Sequence, residues 1–205
     1  LFILLTGLCV GLLGCQSDPV LDVDLCQPYD GLTPLCGYQS PEDLAVLPDS
    51  SGLLVSEFGH MGETQGQLSI LSIDDHSRTV IYTADMHRQA RSAVAIWGDP
   101  NCSEPQSFSP HGFDLAQRPS GRWQLLVVNH AEHERIEFFE LSNNEASEWS
   151  VIWRGCVKSS DDSIYNDVAA VDDGFVVSRM MSSQNTGLAM LNYFLGRDTG
   201  HIWRW

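Results

Sequence analysis

From about residue 41 onward the chain alternates short apolar runs with turn residues. The runs are Leu53 to Phe58, Gln67 to Ile73, Thr79 to Tyr82, Trp123 to Asn129, Glu134 to Leu141, Ser150 to Arg154 and Phe175 to Met180. Stretches rich in Asp, Ser, Gly and Asn separate them. Runs of this length, rich in branched and aromatic residues and bounded by turn formers, read as β-strands. Beyond the N-terminal segment no helical period is sustained over ten or more residues, so the expected fold class is all-β.

The runs also recur as units. Asp43-Leu44-Ala45-Val46 passes through Pro48-Asp49 into Leu53-Leu54-Val55, and Asp114-Leu115-Ala116 passes through Pro119-Ser120-Gly121 into Leu125-Leu126-Val127. Asp167-Val168-Ala169 passes through Asp172-Asp173-Gly174 into Phe175-Val176-Val177. Each unit is an acidic residue, a strand, a turn and a second strand, and in the first two units further strands end near Tyr82 and Trp153. A four-stranded unit repeated around an axis is a β-propeller, which needs at least ~4 blades to close. Three units make about half of one, so residues 41–205 read as a partial, C-terminally truncated β-propeller. The alternative is a β-sandwich with a chance likeness of turns.

The N-terminus has a different pattern. Leu1 to Gly14 carries no charge and ends in Leu12-Leu13-Gly14-Cys15 before polar Gln16-Ser17-Asp18. This stretch is shorter than the ~20 residues of a membrane-spanning helix and resembles a bacterial lipobox. Residues 1–14 then read as a lipoprotein signal peptide, Cys15 as the lipidated residue and 15–40 as a tether with Pro19, Pro28 and Pro34. An ordinary secretory segment is the alternative, and both export the chain. A chain that starts at Leu1 without a basic leader reads as cut at its start. The expected location is the bacterial cell envelope, with the lipid anchor in the outer membrane.

Export changes the meaning of the cysteines. Beyond Cys9 and Cys15 there remain Cys26, Cys36, Cys102 and Cys156, an even number in an oxidising compartment. Three connectivities are open, of which Cys26 with Cys36 and Cys102 with Cys156 is the preferred one. No Cys-x-x-Cys spacing points to zinc or to redox chemistry. Charge narrows the partners further: 11 Lys and Arg against 27 Asp and Glu leave a net charge of −16. Such a surface has no basic footprint for nucleic acid and favours divalent cations. There is also no phosphate-binding glycine loop, so no nucleotide is expected, and no Gly-x-Ser-x-Gly or His-Glu-x-x-His motif.

In a propeller the innermost strands begin at one mouth of the channel, and residues far apart in sequence converge there. The residues so placed are Glu42 and Asp43, His111 and Asp114, and Asn166 and Asp167. Oxygen donors without thiolate suit Ca²⁺ better than zinc or copper. The alternative for each is turn capping ahead of a strand. His133, three residues after His130, is expected to be solvent-exposed, and the six tryptophans are read as packing between blades.

Four segments in order resemble a known family. These are Pro41-Glu42-Asp43-Leu44, Ser109-Pro110-His111-Gly112-Phe113, Val127-Val128-Asn129-His130 with Ile136-Glu137-Phe138-Phe139, and Tyr165-Asn166-Asp167-Val168-Ala169-Ala170-Val171. Together they are similar to the paraoxonase/arylesterases and to the related gluconolactonase and senescence marker protein propellers, over about residues 38–205. The resemblance implies a six-bladed propeller with two calcium ions. Glu42 and Asn166 match ligands of the catalytic ion, and Asp43 and Asp167 match ligands of the structural ion, with the Phe113 carbonyl as a further one. His111 and His130 match the family's histidine pair, which implies hydrolysis of a small ester or lactone. The family's remaining ligands come from later blades, and Phe113-Asp114 replaces a less acidic pair. The rival expectation is a non-catalytic, calcium-stabilised propeller that binds a protein or carbohydrate in the envelope.

Overall fold

The computed structural model describes residues 26–60, 64–86, 96–144, 146, 148–159 and 162–205. The signal segment 1–14, Cys15 and the first part of the tether lie outside the described residues. The chain divides into two compact units, 1–37 and 38–205. In the first, the disulfide Cys26–Cys36 closes a ten-residue loop whose centre is a tight turn with reciprocal bonds between Tyr29 and Leu32.

The second unit is all-β, with three antiparallel sheets. Sheet one is a meander of β1 (Pro41–Val46), β2 (Gly52–Glu57), β3 (Gln67–Ser72) and β4 (Arg78–Tyr82). Sheet two repeats it with β5 (Pro110–Gln117), β6 (Trp123–Asn129), β7 (Arg135–Asn143) and β8 (Trp149–Lys158). Sheet three has β9 (Ser163–Val171), β10 (Gly174–Ser182) and β11 (His201–Arg204). Short turns between sequential strands explain the meander, because antiparallel neighbours need only a tight hairpin.

The three sheets pack in sequence order, and the period of β6 explains how. Leu125 and Val127 enter one core with Leu54, Leu68, Tyr82 and Phe113, between sheets one and two. Their alternates Leu126 and Val128 enter a second core with Phe138, Tyr165, Val168 and Phe175, between sheets two and three. A strand buried on both faces needs a continuous apolar run, which Leu125-Leu126-Val127-Val128 supplies. The first strands β1, β5 and β9 lie side by side as a result. Trp123, Trp149 and Trp153 pack on the first core and Trp97 on the second, whereas Trp203 and Trp205 remain about half exposed.

Two elements go beyond the sequence reading. β11 joins sheet three as an edge strand, pairing Ile202 with Ser178 and Trp203 with Val177. Between β10 and β11 lies the helix α1 (Thr186–Phe194), nine residues long, with Asn185 Oδ1 accepting the Leu188 amide at its start. Its apolar residues Leu188, Leu191 and Phe194 are exposed and only Ala189 is buried, so it lacks the buried stripe by which a helix is read from sequence. Among the described residues no helix is long and apolar enough to cross a membrane.

The second disulfide, Cys102–Cys156, joins the loop after β4 to β8 with Cα atoms 5.6 Å apart. Residues 97–99 run beside β8, with the Trp97 amide on the Arg154 carbonyl at 2.6 Å and the Asp99 amide on the Cys156 carbonyl at 2.9 Å. Gly155, at φ +147°, permits this approach, since a Cβ there would collide with the Trp97 carbonyl.

Candidate functional site

The starts of β1, β5 and β9 form one cluster. His111 is its centre: its Nδ1 lies 2.8 Å from the Asn166 carbonyl on β9, and its Nε2 lies 3.2 Å from Glu42 Oε2 on β1. A carbonyl only accepts, so Nδ1 carries the hydrogen and Nε2 is the atom free to take up a proton. The same ring meets His130 edge-on at 5.1 Å between centroids, and Phe58 packs edge-on against both imidazoles. His130 Nδ1 lies 2.6 Å from Glu134 Oε1, and Glu134 Oε2 accepts the Tyr165 amide at 3.2 Å. One carboxylate thus fixes the His130 ring and ties sheet two to sheet three.

The aspartates lie just inside. Asp43 Oδ1 accepts its neighbour Leu44 N–H at 2.8 Å, and Oδ2 accepts Phe113 N–H of sheet two at 2.9 Å. Asp167 Oδ1 accepts Val168 N–H at 2.8 Å. The amides of Asp43 and Asp167 donate to Ser56 Oγ and Ser178 Oγ, both at 3.0 Å, so these two aspartates are equivalent in their sheets. Burial raises the Asp167 pKa, and the charges of Asp43 and Asp114 push it further up.

Asp114 departs from the expected phase. Ala45 pairs with Leu54 and Ala169 with Val176, and Asp114 pairs with Leu126, the position equivalent to these. The true counterpart of Asp43 and Asp167 in sheet two is Gly112, next to a register shift between Pro110 and Phe113. A Cβ on Gly112 would stand 2.5 Å from Asp167 Oδ1 and 2.6 Å from the Asn166 carbonyl. Sheet two therefore gives up its carboxylate at this phase so that β9 can approach. Asp114 instead bonds the next sheet, its Oδ2 accepting Ala170 N–H at 2.7 Å.

The structure thus brings together Glu42, His111, His130 and Asn166, and beside them Asp43, Phe113 and Asp167. Phe58, Gly112 and Glu134 belong to the same cluster and were not singled out in the sequence. Phe58 had a signal: it follows β2 as His130 follows β6, and their amides bond Ser40 and Ser109 in the same way. His133 is exposed, as expected.

The donors suit a calcium ion in kind, being carboxylate, amide and carbonyl oxygens. Both Asp43 oxygens and one Asp167 oxygen are already engaged by backbone amides, so fewer oxygens stand open than the 6–8 such an ion takes. Among the described residues no group of three or more His, Cys, Asp or Glu is placed to hold a metal. Beside His130 lies a polar cavity of about 330 Å³ lined by His133, Ser159, Ser163 and Ser183. No family model matches this chain, and no curated protein matches it.

Proposed function

We propose that the three sheets are consecutive blades of a β-propeller, and that the cluster at their strand starts serves calcium-dependent hydrolysis of esters or lactones. The observation that carries this reading is His111, held between Glu42 and Asn166 of the two flanking sheets. Glu42, Asn166, Asp43, Asp167 and the Phe113 carbonyl would hold the cation, two ions in the whole protein as the resemblance to paraoxonases and gluconolactonases implies. Bound there, the ion would polarise the substrate carbonyl. His111 Nε2 takes the proton of the attacking water, and the Glu42 carboxylate 3.2 Å away stabilises the imidazolium so formed. His130, fixed by Glu134, holds the His111 ring in place. The cavity beside His130 admits a small substrate. The lipobox-like Leu12 to Cys15 supports a location at the bacterial cell envelope through a lipid anchor.

A second reading has its own observation. Both Asp43 oxygens and one of Asp114 are engaged by backbone amides, and two of these bonds join sheets, which is structural work. It favours a non-catalytic propeller in which calcium stiffens the mouth. Turnover of phenyl acetate and of γ- and δ-lactones separates the two, with and without chelator and in His111→Gln. Chelator-sensitive turnover lost in His111→Gln is expected. Hydrolysis that survives both treatments overturns the mechanism, and calcium-raised melting without any turnover selects the second reading.

A further inference from the structure

Leu54, Leu126 and Val176 are equivalent positions on β2, β6 and β10, and three residues beyond them stand Glu57, Asn129 and Arg179. Each of these side chains reaches the start of the first strand of its own sheet. Glu57 Oε2 accepts the Gln39 amide at 2.8 Å, Asn129 Oδ1 accepts the Ser109 amide at 3.0 Å, and Arg179 Nε donates to Ser163 Oγ at 3.1 Å. The residue type changes from sheet to sheet and the link is kept, and in sheet two the linked segments carry the histidines.

Asn129 is fully buried and touches both histidine segments at once. Its Oδ1 accepts the amide of Ser109, two residues before His111, and the amide of Ala131, the residue after His130, each at 3.0 Å. The His130 amide closes the link by donating to the Ser109 carbonyl at 3.1 Å. On the other side Asn129 Nδ2 donates to buried Glu137 Oε1 at 2.8 Å. Glu137 is held in turn by the Trp153 indole N–H at 2.8 Å and the Arg135 guanidinium at 2.5 Å. Donors face the Asn129 oxygen and acceptors face its nitrogen, so an amide in this one orientation satisfies the site. An aspartate of the same shape would set a second carboxylate against Glu137, and an apolar residue would take the acceptor from two backbone amides. The two imidazoles meet edge-on at 5.1 Å, so a shift of either segment alters the pair.

We propose that Asn129 is a positioning residue for the His111 and His130 imidazoles, with Glu137 setting the orientation of its amide. Its effect on turnover rests on the hydrolytic reading above, whereas its effect on the two rings does not. The test compares the full chain with Asn129→Asp, with Glu137→Gln, and with the swapped pair that carries both changes and so keeps one carboxylate and one amide. Imidazole NMR of His111 and His130 is recorded well below each melting temperature, with kcat and KM for phenyl acetate in calcium. Asn129→Asp should move the ring signals of both histidines and lower kcat about tenfold or more at little changed KM. The swapped pair should return the ring signals toward the parent's and recover most of kcat. Parent-like ring signals in Asn129→Asp, or a swapped pair no better than Asn129→Asp, overturn the proposal. Should Asn129→Asp fail to fold, the swapped pair must fold and the Ser109 and Ala131 amides of the parent must resist hydrogen exchange; failure of either overturns it. A parent without turnover defeats the hydrolytic reading and leaves the ring signals to decide the role of Asn129.

Discussion

A single missing Cβ sets the spacing between the starts of β5 and β9. Gly112 faces Asp167 Oδ1 and the Asn166 carbonyl at distances no side chain tolerates, and one of these neighbours is backbone. Gly112→Ala should therefore push β9 away from β5 and cost about 1–3 kcal/mol. A thermal melt checks this, and an unchanged melting temperature would refute the close packing. Glu134 acts through His130 rather than on substrate. If the hydrolytic reading holds, Glu134→Gln should lower kcat by about tenfold or more with little change in KM, since the amide no longer fixes the His130 ring that packs against His111. An unchanged kcat would leave Glu134 with only its bond to the Tyr165 amide.

Between elements, carboxylates on first strands are the ties from sheet to sheet. Asp43 reaches Phe113 N–H and Asp114 reaches Ala170 N–H, each crossing to the next sheet. Asp114→Ala leaves a half-buried amide without its acceptor and should cost about 1–3 kcal/mol, read as a lower urea midpoint. Asp114→Asn keeps an acceptor oxygen and should recover most of that loss. If the two variants are equally stable, the bond contributes nothing. Further along the sheets the same logic uses different residues in each. In sheet one Glu57 on β2 accepts from Ser69 on β3, and in sheet two Asn129 on β6 donates to Glu137 on β7. The buried carboxylate has changed strand while the cross-strand pair has been kept. The Cys102–Cys156 disulfide closes a loop spanning 54 residues and fixes the Trp97 segment to β8. Replacing both cysteines by serine should cost about 2–5 kcal/mol, read as a lower melting temperature.

For the whole molecule, the carboxylates gathered at the starts of the first strands make stability depend on pH. The Asp167 pKa is raised by burial and by the charges of Asp43 and Asp114, so the folded state holds that proton more tightly than the unfolded chain, where an aspartate titrates near ~3.9. Between those two values the native state binds more protons, so stability falls as pH rises through the window and stays reduced above it. The melting temperature without divalent cations should therefore drop from about pH 4 toward neutrality more steeply in the parent than in Asp167→Asn. Calcium should restore it in the parent alone. A parent and variant with parallel pH profiles would show that the carboxylate cluster carries no such strain.

Most of the strands were legible in the sequence because each is a local fact. An apolar run between turn formers is a strand wherever it lies, and two turns with the same spacing make the same meander. The all-β class, the two complete sheets and the beginning of the third follow from such local patterns, and the structure has them; of the three cysteine connectivities the sequence left open, it has the preferred one. Glu42, His111 and Asn166 could be nominated for the same reason, as residues opening successive first strands. What only the tertiary structure decided depends on partners distant along the chain. Asp114 repeats Asp43 and Asp167 along the chain but not in phase: it pairs with Leu126 as Ala45 pairs with Leu54 and Ala169 with Val176, because the hairpin beyond these equivalent pairs is longer in sheet two. That His111 binds a backbone carbonyl 55 residues away and a carboxylate in another sheet, and that Gly112 makes room for β9, follow from how closely the sheets pack. The helix α1 escaped notice since no core selects its pattern, and β11 since four residues acquire strand geometry only by pairing with β10. Local pattern determines each element through its own backbone and turns; contact between elements determines the site, because hydrogen-bond and packing energies depend on positions that chain order does not contain.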